Sequence, residues 1–328
     1  MPDTSEFDED KYLRANPDVA QAVLDGVLKS GAEHYQMYGQ LEGRRWQMSP
    51  LLSRQEKILK NIDVHGKGLE IGPSHNPVAP KRDGFDVDIV DHLDAEGLRR
   101  KYADAGLELD KIEDVDSVWN GELLSELIGK TEHYDWIVAS HVIEHMPDPI
   151  TFLQQCELLL KPGGRLALVV PDKRFCFDYF QPIDLTGSWL DAFHEKRTRP
   201  TPGQVFDHLS NGCCLDQLSA WSAAHSGELG LLNSFEHAAE IWFQAKTSNE
   251  YFDVHCWRFV PASFQLIVAD LFALGLTRLQ IFQQFDTEGC EFYTFLEKSA
   301  GYIAPRDRLA LLKTSGAVSA PTGVSESL

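Results

Sequence analysis

The chain contains no apolar run close to the ~20 residues that a membrane-spanning helix needs, so insertion into a membrane is not expected. Its first ten residues, Met1 to Asp10, are acidic and polar rather than basic and then apolar. That layout is unlike a secretory signal, and a cytoplasmic location is expected. Patterned cysteines are missing too: Cys156, Cys176, Cys213, Cys214, Cys256 and Cys290 form no CxxC pair, and neither a zinc knuckle nor a disulfide framework is signalled. Basic residues are scarce. The 30 Lys and Arg against 50 Asp and Glu leave a formal net charge of -20, and such a chain lacks the clustered cations that release counterions from a phosphate backbone. Nucleic acid is not expected as a partner. The local basic clusters, Lys81 with Arg82, Lys173 with Arg174, and His194 to Arg199, are read as solvated surface.

What is present points to a globular α/β protein. With 328 residues the chain can bury one full core and still carry accessory segments. Residues 1–48 read as a small helical accessory module: Pro17 to Leu28 has helical apolar spacing, and aromatics recur about a turn apart from Gly31 to Arg45. From Ser53 strands and helices alternate, which implies a doubly wound, mostly parallel sheet with helices on both faces. Strands are expected at 67–71, 86–90, near 111–115, 135–140 and 165–170, and helices at 96–105, 121–128 and 149–160. Lys161-Pro162-Gly163-Gly164 closes the last helix. A helix at 261–274 then leads into two alternating strands, 277–285 and 290–298. This hairpin would set one antiparallel strand in an otherwise parallel, seven-stranded sheet spanning 53–304. The excursion between, Pro171 to Val260, is far longer than an ordinary loop and is expected to fold by itself as a helical substrate lid. The tail 305–328, rich in small polar residues, is expected to be disordered.

The segment GLEIGPSHNP, residues 68–77, resembles the cofactor loop of class I S-adenosylmethionine-dependent methyltransferases, whose usual form is acidic-x-Gly-x-Gly-x-Gly. The resemblance implies a Rossmann-like fold and S-adenosyl-L-methionine as cofactor. Glu70 takes the acidic position and would face the methionine ammonium, while Gly72 lets the backbone pass close. Ile71, Pro73 and Ser74 belong to the same loop, and Ser74 and Asn76 stand where the second and third glycines usually fall. Asp91, some twenty residues on, closes the second strand, where an acid can take both ribose hydroxyls. Asp116 is placed to accept from the adenine amino group, with Val118 and Trp119 beside the ring and Asp114 as a rival by register. The run YDWIVASHVIEHMPDP, which carries Ser140 and His141 out of the fourth strand, resembles a widespread methyltransferase signature. A nicotinamide dehydrogenase would need Gly-x-Gly-x-x-Gly for its diphosphate, and Gly-Pro-Ser-His-Asn-Pro does not supply it.

Methyl transfer from a sulfonium is an in-line displacement that must align the nucleophile and remove its proton. His141, Glu144 and His145 would share one face if a helix starts after the fourth strand. In one reading His141 is the general base, a task suited to a side chain that titrates near neutrality. In the other, the three with a histidine of the lid hold a divalent metal, but the set is poor in hard oxygen ligands for magnesium; the base is preferred and no metal ligand is assigned. His255, in the run Asp253-Val-His255-Cys-Trp257-Arg258, is the second candidate catalytic residue beside His141, and with the lid tryptophans Trp189, Trp221, Trp242 and Trp257 it is expected to wall the acceptor.

Methyltransferases that resemble this chain from Gly68 to Lys298 include many associated with surface-polysaccharide synthesis, and this implies a small-molecule or glycan acceptor. FDEDKYLRANPDVAQAV with HYQMYGQLEGRRW resembles a short motif of bacterial surface-associated repeat proteins that also stands beside sugar-transferring enzymes. It implies a glycan-synthesis partner for the module.

Overall fold

The computed structural model describes residues 7, 9, 12–13, 16–39, 52–299 and 308–316. They fall into two units, Met1–Lys57 and Ile58–Leu328, a division some residues beyond the boundary at 48 expected from the sequence.

In the first unit, Pro17 opens helix α1 (Pro17–Leu24) at a position where a missing N–H costs nothing. Helix α2 (Gly31–His34) is capped twice: Ser30 Oγ accepts from Glu33 N–H, and the Glu9 carboxylate accepts from the N–H groups of Gly31 and Ala32 at 2.6 and 2.8 Å. A π-turn, Tyr35–Gly39, follows. Tyr12 is fully buried and shares a 2.8 Å hydrogen bond with His34 Nδ1. Any Cβ at Gly31 or Gly39 would collide with the Tyr12 ring or its hydroxyl. The spacing of Tyr, Gly and His in this segment is therefore the spacing of one aromatic knot. The continuation QLEGRRW starts at residue 40 and lies outside the described residues.

The second unit starts within helix α3 (Arg54–Leu59) and is organised by a seven-stranded sheet. Its strands are β1 (Gly68–Ile71), β2 (Val87–Asp91), β3 (Ser117–Val118), β4 (Tyr134–Ser140), β5 (Leu160–Pro171), β8 (Leu279–Glu288) and β9 (Glu291–Lys298). They run in the order β3-β2-β1-β4-β5-β9-β8, and β9 lies antiparallel to both its neighbours. β4 and β5 are buried on both faces, which is why WIVA and LALVV read as continuous apolar runs. Helices α4 (Ala95–Lys101), α5 (Leu124–Ile128) and α6 (Pro149–Leu159) connect the parallel strands. α6 starts on an Asp148 cap to Thr151 N–H with Pro149 at its first turn.

Two expectations require correction. The third strand is Ser117–Val118 rather than 111–115: Ile112 and Val115 spend their apolar side chains on a small cluster with Ala95 and Leu98 of α4, and Leu109–Lys111 is a single helical turn. In the tail, Arg308–Gly316 forms a helix, α11, whose Arg308 pairs with Asp270 at 2.8 Å and whose Leu311 is buried. Residues 305–307 and 317–328 lie outside the described residues.

The excursion after β5 holds helices α7 (Thr186–Glu195), α8 (Pro202–Ser210) and α9 (Phe235–Thr247) and the small hairpin β6 (Cys213–Leu215) with β7 (Leu229–Leu231). It has a core of its own around Val205, Ala245 and Val254, yet Trp189, Trp257 and Phe259 sink into the main core. Helix α10 (Pro261–Ala273) then returns the chain to β8. Among the described residues no helix is long and apolar enough to cross a membrane.

One polar junction on the sheet is exposed enough to titrate. Asp88 of β2 accepts from the hydroxyl of fully buried Tyr134 at 2.8 Å, from Lys67 at 2.6 Å and from Lys130 at 3.2 Å. Burial alone would raise its pKa, but these three partners outweigh it and bring it down to about 2. A depressed carboxylate contributes stability that is present above its unfolded pKa of about 4 and is lost as pH falls through the folded one. Asp88→Asn is expected to flatten the loss of stability between about pH 4 and pH 2 and to cost about 1–2 kcal/mol at neutral pH. Urea unfolding across that pH range measures both.

Candidate active site

Strand order reverses between β1 and β4, and the crevice beyond their carboxyl ends is where an open α/β sheet takes its ligand. Gly72 leaves β1 with φ of 66°, donating its N–H to Val90 O at 2.8 Å. A Cβ there would stand 2.9 Å from Val142 Cγ2, so the β1 loop and the exit of β4 are in direct contact. Ile71 and Pro73 are buried beneath the loop, and Ser74, at φ of 51°, donates its N–H to Asp91 Oδ2 at 2.8 Å.

Glu70 and Asp91 are committed to this loop more than the sequence implied. Glu70 is buried, and its two oxygens accept from the N–H groups of Val78 and Ala79 at 2.6 and 3.1 Å. It therefore closes the loop after β1. Asp91 is also buried, with His92 N–H and His92 Nδ1 on Oδ1 at 2.7 and 2.6 Å. The His92 ring, half exposed, continues to Lys101 Nζ at 2.9 Å.

Asp116 is placed differently from the expectation. Because β3 starts only at Ser117, Asp116 stands at its amino end, where its carboxylate accepts from Ile89 N–H at 2.7 Å and Lys81 Nζ at 2.6 Å. The carboxylate is thus held by two protein donors just ahead of the strand instead of standing at its carboxyl end. At the crevice end of β3 stands Trp119, its N–H on Asp91 O at 2.7 Å and its ring stacked on Phe152.

At the end of β4, Ser140 pairs in register with Val169, and His141 breaks out in the left-handed region at φ of 54°. A non-glycine residue held there signals a constrained position. His141 Nε2 is 2.8 Å from Glu291 Oε2 and its Nδ1 is 3.5 Å from Glu144 Oε1. Ile143–His145 is one 3-10 turn rather than the start of a helix, yet it still brings His141, Glu144 and His145 together.

The return segment of the excursion is laid across this turn. Cys256 and Trp257 N–H both donate to Glu144 O, Trp257 Nε1 donates to Met146 O at 2.6 Å, and Tyr251 Oη donates to His145 O at 3.0 Å. His255 is thereby buried against His145, ring centroids 4.7 Å apart, with Nδ1 2.6 Å from Asp178 Oδ2. It is not an exposed wall for an acceptor. Trp189, Trp221 and Trp257 are buried as well, and Trp242 is the half-buried exception. Burial and the adjoining His255 push His208 down to about 4, so it is neutral and its Nδ1 accepts from His255 N–H at 3.1 Å. For His145, burial opposes the charged form, but Asp253 and Glu144 outweigh it and hold its pKa above the ordinary value. The basic clusters are spent on local partners: Lys81 on Asp116, Arg82 on Glu113, Arg174 on Asp172, and Arg197 on Glu195.

Sequence reasoning missed Glu291, Asp178 and His92. Glu291 had a usable signal, because a hairpin whose second strand lies antiparallel beside β5 must start at the crevice end. Asp178 had none: 77 residues separate it from His255.

Residues 42–226 match a family described as a methyltransferase domain. The chain is similar to the mitochondrial ubiquinone biosynthesis O-methyltransferase of Homo sapiens, 47% identical over 51 residues, or 15% of this chain and 14% of that one. It is also similar to the ubiquinone biosynthesis O-methyltransferase of Marinobacter nauticus, 28% identical over 92 residues, or 26% of this chain and 39% of the other. The matches thus cover well under two thirds of either relative. Among solved structures, a SAM dependent methyltransferase from Aquifex aeolicus aligns over 76% of this chain and 91% of its own, at 14% identity and a TM-score of 0.36.

The contact between Gly72 and Val142 provides a local test. Gly72→Ala is expected to cost about 1 kcal/mol for the left-handed backbone and about 1–3 kcal/mol for the collision. In a double-mutant cycle with Val142→Ala, urea midpoints should reveal a favourable coupling of about 1 kcal/mol, the share that belongs to the collision. Strict additivity would show that the collision contributes nothing.

Proposed function

The chain belongs to the methyltransferase-domain family, and from that premise we propose that it transfers the methyl group of S-adenosyl-L-methionine to an oxygen of a small hydroxyl-bearing acceptor. The observation that carries the reading is the convergence, at one strand-order reversal, of the Gly72 loop, the Asp91 carboxylate and His141. In this reading Ile71, Gly72, Pro73 and Ser74 form the bed of the methionine end, and Ser140 borders it. Asp91 receives the ribose hydroxyls: each carboxylate oxygen has more than one acceptor site, and the half-exposed His92 ring can turn aside.

When bound, S-adenosyl-L-methionine would supply an electrophilic methyl group to the acceptor oxygen, with a neutral thioether as the leaving group. The hydroxyl proton passes to His141. Glu291 accepts from Nε2–H, which leaves Nδ1 as the basic nitrogen, and it stabilises the imidazolium that forms.

For the acceptor we favour a sugar hydroxyl of a glycan or nucleotide sugar. The groups left on the open side of the crevice, His141, Asp253 and Tyr251, are suited to hydroxyls, and the N-terminal motif resembles one found beside sugar-transferring enzymes. The same motif makes the first unit the candidate contact for a glycan-synthesis partner. The buried tryptophans lend no support to a stacked sugar. An acceptor from ubiquinone biosynthesis is the second reading, favoured by similarity to two enzymes named for that process.

Calorimetry with S-adenosylmethionine should show one site per chain, weakened at least about tenfold in Asp91→Ala through loss of charge-assisted hydrogen bonds. No binding would sink the proposal. A screen of nucleotide sugars and terminal oligosaccharides, read as a mass gain of one methyl group, identifies the acceptor. With that acceptor, His141→Asn should lose about 10²–10⁴-fold in kcat and retain cofactor affinity.

A further inference from the structure

Glu144, His145 and His255 form a cluster that the proposed methyl transfer does not use. One donor atom from each lies within 4.8 Å of the other two. Glu144 is fully buried, and among the described residues neither of its carboxylate oxygens has a hydrogen-bond partner. Nε2 of His145 and Nε2 of His255 both stand 4.0 Å from its Oε1, too far for a hydrogen bond. A carboxylate sealed from water without donors is costly unless a cation compensates it. We propose that these three side chains bind one divalent cation of the zinc class.

The surroundings of the two imidazoles point the same way. Asp178 engages Nδ1 of His255 at 2.6 Å, and Asp253 lies 2.9 Å from Nδ1 of His145. In both rings Nε2 is the nitrogen directed at Glu144, and for His255 the hydrogen bond to Asp178 gives the carboxylate-backed arrangement that orients ligating imidazoles in metal sites. Two imidazole nitrogens and one carboxylate oxygen suit zinc and similar ions and are too poor in oxygen for magnesium. Bonds of about 2.0–2.2 Å require the cluster to contract somewhat, which small rotations of the three side chains supply. The open side of the site faces His141, whose Nδ1 is 3.5 Å from Glu144 Oε1 and whose side chain is 37% exposed. Three protein ligands with a fourth position open to the crevice is the layout of a zinc site that meets a substrate.

The inference is read on the free protein and does not rest on the acceptor or the cofactor. The full chain, stripped with chelator and dialysed, is titrated with Co²⁺ and followed by visible absorption. Ligand-field bands should saturate at one equivalent, and Zn²⁺ should bleach them and raise the thermal midpoint, while Mg²⁺ should leave that midpoint unchanged. Glu144→Gln should abolish the bands. Asp178→Asn and the exposed Asp253→Asn leave all three ligands in place and should weaken binding by about 10–100-fold, which keeps the test decisive if Glu144→Gln fails to fold. The proposal is overturned if the wild type gives no one-equivalent bands, if folded Glu144→Gln titrates like the wild type, or if both Asp variants keep wild-type affinity.

Discussion

Glu144 is pinned through its main-chain carbonyl, and the arrangement of the crevice depends on it. Its carbonyl oxygen accepts from Cys256 and Trp257, so the far end of a long excursion is fastened to the turn that leaves β4. Its side chain, sealed from solvent, faces one nitrogen each of His141, His145 and His255. Residues more than a hundred positions apart are thereby fixed within one cluster. The fastening is backbone hydrogen bonding, which tolerates little displacement, and it carries a polar cluster whose electrostatics are amplified by burial. Removing the carboxylate would therefore alter the polar cluster while leaving the main-chain fastening of the excursion in place. The arrangement also explains why Trp189 and Trp257 lie in the main core: a segment pinned this tightly needs apolar anchors on either side of the pin.

Much of the fold was legible because its signals are local. Alternation of strand and helix, the Pro-Gly-Gly stop after α6 and the period-2 pattern of the last hairpin each depend on a few neighbouring residues, and the sheet has the expected architecture. The third strand failed where a local signal had two solutions. Ile112 and Val115 are β-branched and read as strand formers, but three residues apart they do not share a strand face, and the apolar surface they cover belongs to α4. That one displacement put Asp116 just ahead of the third strand instead of at its carboxyl end. The helix Arg308–Gly316 was missed for a related reason: what stabilises it is a tertiary contact with Asp270 and the burial of Leu311 rather than a strong local pattern.

The site was legible in its positions and much less so in its partners. Strand ends can be counted from sequence, so Gly72, Asp91 and His141 could be placed around one crevice. Partners that arrive from elsewhere are harder: Glu291 could be reached only through the topology of the last hairpin, and Asp178, from the excursion, had no signal in the spacing along the chain. His255 illustrates the limit. Its run of aromatic and polar residues resembles an exposed wall, and only the backbone pairing to Glu144 reveals that the same residues face inward.

Glu70 and Asp91 show why the loop after β1 can dispense with two of the usual glycines. Glycines in such a loop allow left-handed backbone and close approach to a ligand, but they leave the loop to be ordered at an entropic cost. Here the loop is ordered by carboxylates: Glu70 takes two N–H groups downstream of the turn, and Asp91 takes that of Ser74, itself in the left-handed region. Pro73 and Pro77 remove further freedom on either side. In the proposed function the same Asp91 oxygens must also receive a ribose, so the acid that sets the loop is the acid that reads the ligand. His92, bridging Asp91 and Lys101 and half exposed, is the partner that can yield. Order in the loop and access to Asp91 are thus separable: the backbone donors from Ser74 and His92 stay, one on each oxygen, and only the imidazole on Oδ1 is exchangeable.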